Sequence, residues 1–293
     1  MSDASKRSAQ RAGGERSSEA GSAQRAGGER SQAISEAVTR AEAFVLGSAT
    51  PLERAFWETL LRRQDARPLL AALAARQEAA GALRSWRDDE AADPALAATL
   101  RGLTWLDALG LLDHPVPERA VGFLLARQQA DGGWSEPGAS EERRVALSGE
   151  VTGLLAKTPH ARESALRQAE AFLARHWAVE RVQGPCYAPI LAYVHALAHL
   201  HSELADEALQ WCGRELERGF RTHAFTPVAV ARVFLRARAR ALPGLQIDPD
   251  ELVATLLGAQ APDGGWSAEP EAERLDATLE AVEALLRLGP GAS

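Results

Sequence analysis

Gln128-Gln129-Ala130-Asp131-Gly132-Gly133-Trp134-Ser135 returns 132 residues later as Gln260-Ala261-Pro262-Asp263-Gly264-Gly265-Trp266-Ser267. Six of the eight residue types coincide at identical spacing, which chance does not produce in a chain of this length. Physical chemistry gives each residue a job at the end of a helix. Gln128 and Gln260 sit on the last helical turn. Gly132-Gly133 and Gly264-Gly265 let the chain leave through left-handed dihedrals, Asp131 and Asp263 bind their own turn, and Trp134 and Trp266 pack back on the helix just completed. The motif reads as a clasp that fixes one helix end to the start of the next, a structural device more than a catalytic one.

Working outward, helix ends recur at Gln77, Gln128, His176, Glu215 and Gln260, in steps of 51, 48, 39 and 45 residues. Apolar residues between them return at three- and four-residue spacings, and Ala, Leu, Arg and Glu dominate. The chain is therefore expected to be all-α, built from about five αα-hairpins, with a further helix pair near Ile34 to Leu46 and Leu52 to Arg63.

Residues 1–32 carry the decapeptide Ser8 to Ser17 and its copy Ser22 to Ser31 without a large apolar residue. Such a composition cannot bury enough surface to offset the entropy of ordering, so 1–32 reads as a disordered tail and 33–293 as the helical domain. The chain has 293 residues, 46% hydrophobic and 25% charged, with a net charge of -7. An acidic globular domain repels phosphate backbones, which excludes nucleic acid as the expected partner. Two cysteines, Cys186 and Cys212, make no disulfide framework. With neither a signal-like nor a membrane-spanning apolar run, the expected location is the cytoplasm, and peripheral contact with a membrane surface stays open.

The Gln, Asp-Gly-Gly-Trp clasp resembles the QW motif of terpenoid cyclases and the related repeat of protein prenyltransferase β subunits, the prenyltransferase and squalene oxidase repeat, over about residues 65 to 290. The resemblance implies an α/α toroid whose inner helices, here at about 94 to 111, 143 to 157, 186 to 200, 225 to 240 and 274 to 288, surround a cavity for an isoprenoid chain. It implies an isoprenoid-handling protein, with proton-initiated cyclisation of a prenyl or squalene-like chain as the activity. A lipid-binding or protein-interaction scaffold on the same toroid is the alternative, so the partner is a hydrophobic small molecule or a protein. Whether the chain is an enzyme stays open, because the Asp-x-Asp-Asp acid motif of the cyclases is missing. After the last clasp stands Glu273-Arg274-Leu275-Asp276, leaving Asp276 as the candidate proton donor. The prenyltransferase zinc set is matched only at Cys186, since Gly184 and Asp276 occupy the other two places. Neither a metal nor a cofactor is required.

Carbocation chemistry calls for aromatic walls. Trp105, Tyr187, Tyr193, Phe225 and Phe234 fall on the inner helices and join Cys186 and His195 as candidate substrate-binding residues. His195 and His199 are four apart on one helix but lack a third ligand. Asp88, Asp89 and Asp93 resemble a diphosphate-binding cluster, but Asp93 before Pro94 reads as a helix cap. Asp276, Glu280, Glu283 and Arg287 form one stripe of the last helix. If that stripe faces the lumen, the cavity is acidic and suits a cationic or hydroxylated ligand better than a diphosphate.

Overall fold

The computed structural model describes residues 27–62, 65–87, 92–268 and 270–290. Among them the chain is all-helical, with no strand and one isolated bridge, Gln77 to Leu83. Residues 1–26 of the repeat-bearing tail lie outside the described part. The boundary drawn at residue 32 is corrected, because 27–48 form one helix, α1. The elements that follow are α2 (Pro51–Arg62), α3 (Arg67–Arg76), α4 (Pro94–Ala108), α5 (Pro115–Ala126), α6 (Glu141–Ala156), α7 (Glu163–Arg175), the single turn α8 (Val179–Val182), α9 (Tyr187–Leu197), α10 (Ala205–Arg221), α11 (Pro227–Ala237), α12 (Pro249–Gly258) and α13 (Arg274–Leu288). No described helix is long and apolar enough to cross a membrane.

Local chemistry sets the starts. Asp93, Ser140, Thr226 and Asp248 each accept a backbone N–H of the first turn, and Pro94, Pro227 and Pro249 follow their caps directly. Thr50 and Glu53 form a reciprocal capping box on α2. Asp93 is thus a cap, while Asp88 and Asp89 lie outside the described residues.

The helices form six pairs, α1/α2, α3/α4, α5/α6, α7/α9, α10/α11 and α12/α13. The second helix of a pair is the more enclosed. From Val145 to Leu155, α6 is buried on nearly every side, and α9 and α13 repeat the pattern. The first helix buries one stripe, as α1 does with Ile34, Ala37, Ala41 and Val45. Successive second helices pack on one another, α4 on α6, α6 on α9, α9 on α11 and α11 on α13. The α6–α9 approach is the tightest. Gly149 and Gly153, one turn apart, face Ala192 and His195 so closely that an added Cβ would lie within 2.5 Å of their heavy atoms.

The clasps set the arrangement of the first helices. Gln128 Nε2 donates to Gly132 O (2.9 Å) in its own turn and to Ala165 O (2.9 Å) of α7. Gln260 Nε2 does the same to Gly264 O (2.9 Å) and, 223 residues back along the chain, to Ala37 O (2.8 Å) of α1. Gln77 is a third member, donating to Gly81 O (2.9 Å) and to Val116 O (3.0 Å) of α5. Gly81, Gly132 and Gly264 have φ between 92° and 94°, and a Cβ on any of them would meet a carbonyl of the neighbouring first helix at 2.0 to 2.1 Å. Glycine is required there twice over, by conformation and by contact. Each clasp also reaches its own second helix: Leu83, Trp134 and Trp266 donate their backbone N–H to the buried hydroxyls of Thr99, Ser148 and Thr278. The indoles of Trp134 and Trp266 donate back to Leu124 O (2.7 Å) and Leu256 O (2.8 Å).

The other two recurrences are not clasps. His176 caps α7 on its own Phe172 carbonyl, and Glu215 lies mid-helix in α10, buried, accepting from Gly184 N. Those junctions use α8 and a turn at His223, whose φ is 57°.

Trp134 and Trp266 are about 1% exposed or less, so Trp266→Ala is expected to cost about 3 kcal/mol or more. Gln260→Leu, which removes both clasp hydrogen bonds, is expected to cost about 1–3 kcal/mol. Equilibrium urea unfolding of both variants measures these losses.

Candidate functional site

A cavity of about 510 Å³ lies among the second helices. Its wall takes Phe56 from α2, Ala97, Leu100, Arg101 and Trp105 from α4, and Arg143 and Glu150 from α6. Tyr187, Leu191, Ala192 and His195 come from α9, Arg232 and Arg236 from α11, and Asp276, Leu279, Glu280 and Glu283 from α13. Exposed Arg143 and Glu273 stand at its rim, whereas His195 and Glu283 are buried at depth. The mouth therefore lies at the N-terminal ends of the second helices.

One part of the wall is apolar. Phe56 and Trp105 stack with centroids 4.8 Å apart, and Trp86 tilts against Trp105 from behind at 5.0 Å. The rest is charged, with six carboxyl side chains and four guanidiniums. Most are matched. Asp276 accepts from two nitrogens of Arg87, at 2.6 and 2.9 Å, and lies 3.4 Å from Arg101. Glu136 pairs with Arg143 at 2.8 Å, and Glu283 with Arg287 at 3.1 Å. Asp276, Glu280 and Glu283 of the α13 stripe do face the cavity, whose wall carries more carboxyls than guanidiniums, and each of these three acids is paired with an arginine.

Two places depart from balance. Arg232 and Arg236, one turn apart on α11, share the single carboxylate of Glu280 at 2.7 and 2.6 Å. Glu150 stands in the same wall, partly buried, and no hydrogen bond or ion pair from the described residues reaches its carboxyl. Burial pushes the Glu150 carboxyl above the usual range, against the pull of Arg236, Arg143 and Arg232. Burial likewise raises Glu283, with Arg287 opposing, and drives the Tyr187 phenol up to about 12.

Beneath the cavity the C-terminal ends of the second helices are knitted by cations, as their dipoles favour. Asp107 of α4 receives both Lys157 and Arg238, His199 Nε2 lies 2.8 Å from Arg236 O, and Arg287 and Arg240 reach the carbonyls of Ala108 and Leu288. Arg238 holds a left-handed conformation, φ 49°, in a position usually given to glycine. Burial lowers the Lys157 ammonium to about 8, and it holds His195 well below the ordinary imidazole range, so the ring is neutral.

Of the residues singled out from sequence, Asp276, Trp105, Tyr187 and His195 meet in this cavity. The other four lie off its wall. Cys186 is exposed ahead of α9, and Tyr193 turns the other way, donating to Leu173 O and packing on Trp177. Phe234 is buried in the core, and Phe225 packs on Gly219 and the edge of Tyr187. His195 and His199 gather no third ligand, and no group of three metal-ligating side chains occurs among the described residues. Sequence reading missed Arg87, Glu150, Arg232 and Arg236. The last two had a signal, an Arg-x-x-x-Arg spacing on a second helix. No protein-family model matches this chain, and no curated protein is significantly similar to it.

Arg87 joins buried Glu53, about 1% exposed, to Asp276. Arg87→Met is expected to destabilise by about 3–5 kcal/mol, because it leaves a buried carboxylate uncompensated. Adding Glu53→Gln is expected to recover part of that loss in the same urea titration. Lys157 gives a pH signature. Its unfolded-state value near 10.4 exceeds about 8 in the fold, so between those values the unfolded chain binds the extra proton and stability rises with pH. Relative to Lys157→Met, wild type is expected to gain about 2 kcal/mol from pH 7.5 to pH 10.5.

Proposed function

We propose that the six pairs close into an α/α toroid whose chamber binds a small amphipathic molecule, an apolar body with one anionic head. A prenyl chain is the body that the clasp resemblance implies. The toroid reading is supported by the last clasp, which returns to α1, and by Arg87, Arg101 and Arg287, which tie α13 to the α4 region. The ligand reading is carried by one observation: Arg232 and Arg236 divide the single carboxylate of Glu280 in the chamber wall, leaving guanidinium N–H groups and one positive charge of that pair without a contacting carboxylate among the described residues. Planar guanidinium forks suit carboxylate and phosphate oxygens. The Phe56–Trp105 stack with Leu100, Leu191 and Leu279 supplies the apolar side, and the chamber's volume is that of a small-molecule site.

Head-group binding takes precedence over proton-initiated cyclisation. Asp276 commits both oxygens to Arg87, and a wholly hydrocarbon ligand leaves the wall's charges desolvated without recompense. A protein-interaction scaffold is less favoured, since only Leu46 and Leu286 are large, apolar and exposed among the described residues.

Titration calorimetry with farnesoate, farnesol and farnesylamine tests the reading. Farnesoate is expected to bind one to one, at least tenfold tighter than the alcohol and far tighter than the amine. Arg232→Gln, which leaves Glu280 paired with Arg236, is expected to weaken farnesoate at least tenfold and to spare farnesol. Equal binding of acid and amine, or none of either, contradicts the proposal.

A further inference from the structure

Glu150 is the wall carboxyl that nothing so far explains. It lies two turns along α6 from Arg143 and shares the chamber with Arg232 and Arg236, yet no guanidinium or amide among the described residues reaches its oxygens. Its neighbours have other partners: Arg143 is engaged with Glu136, and Arg232 and Arg236 with Glu280. A carboxylate in that position would cancel the surplus charge of the α11 pair. A carboxylic acid leaves the surplus intact and adds a hydrogen-bond donor to it.

We propose that Glu150 completes the head-group site as a neutral acid, donating its O–H to an oxygen of a bound carboxylate or phosphate whose charge is met by Arg232 and Arg236. This rests on the reading of the chamber as an anion-binding site. No covalent step is involved. Where Glu150 is ionised in the empty chamber, one proton is taken from the medium for each anion bound and is given back on release.

The other groups around the chamber do not account for such uptake. On α6 the hydrogen bond from Arg143 to Glu136 holds that guanidinium above its ordinary range, on α11 the charge of Glu280 does the same for Arg232, and Arg236 is paired with Glu280. On α9, Tyr187 keeps its proton to about pH 12 and donates to Ala229 O, while neutral His195 lies among Lys157 and Arg236, which oppose its protonation. Glu136 is bound to Arg143, Glu280 to the α11 pair, and Glu273 stands at the exposed rim. Asp276 is bound to Arg87, and two groups compete: Glu283, raised like Glu150 but held by Arg287, and Lys157 beneath the chamber, lowered to about 8, whose share is removed by repeating the titration in Lys157→Met. The sign follows from linkage: an anion that binds the protonated form binds more weakly as pH rises, by up to about tenfold per pH unit once Glu150 ionises in the free protein.

The experiment is calorimetry of farnesoate binding to the full chain, between pH 6 and 9, in buffers of differing ionisation enthalpy. Wild type is expected to take up as much as one proton per farnesoate and to lose affinity with rising pH. Glu150→Gln, a neutral amide that also donates, is expected to bind with a flat pH profile and no uptake, and Glu283→Gln to behave as wild type. Proton uptake that persists in Glu150→Gln, or vanishes in Glu283→Gln instead, overturns the assignment to Glu150 while leaving the anion site standing if Arg232→Gln still weakens farnesoate. Wild-type binding without uptake, together with a farnesoate affinity that Glu150→Ala leaves unchanged, overturns it even if Glu150→Gln does not fold. If farnesoate fails to bind wild type at any pH, the anion site and Glu150's part in it fall together.

Discussion

A glutamine at the end of a helix, donating both amide hydrogens across a glycine turn, is the interaction on which the rest of this structure depends. One hydrogen bond closes the turn and the other crosses to a carbonyl of the next first helix, so each clasp ties a helix end to its neighbour. The glycine beneath it lets two backbones touch. Because Gln77, Gln128 and Gln260 act alike, with Gln260 reaching back to α1, the outer helices are positioned by short polar links. The second helices, reached through Thr99, Ser148 and Thr278, fill the interior.

An interior bounded by helices that are themselves buried has no bulk solvent to meet its charges, so each charge needs a partner from another helix. The pairs Asp276–Arg87, Glu280–Arg232–Arg236 and Asp107–Lys157–Arg238 join elements far apart in sequence. Buried pairs of this kind contribute less to stability than their number suggests, since desolvation offsets much of the attraction. What they do is fix which helices face one another. Departures from balance then become informative: a shared carboxylate on α11 and an unpartnered acid on α6 both occur in the one chamber.

The fold was largely legible, and the chamber only partly. Caps such as Asp93-Pro94 and Asp248-Pro249, with the Gly-Gly-Trp turns, are local signals that place helix ends within a few residues. The second helices lie within a few residues of where the clasp resemblance puts them. Glu215 was misread because a resemblance of residue types near a glycine does not reveal that α10 continues past it. The chamber was harder because facing is set by long-range pairing: Asp276 has the look of a free acid in sequence, and only Arg87, 189 residues away, removes that freedom. Tyr193 and Phe234 were placed on the correct helices, but periodicity does not say which side of a helix buried all round faces a cavity.

The closure of α12 on α1 is the central claim, since the chamber exists only if the last pair meets the first. Spin labels at exposed Glu36 of α1 and Ala259, which follows α12, read it directly by pulsed electron–electron resonance, with exposed Cys186 changed to serine and Cys212 left buried. Closure predicts one narrow distance distribution near the lower limit of the method, retained when farnesoate is added. A broad distribution, or one centred at the separation of non-adjacent helices, would contradict it.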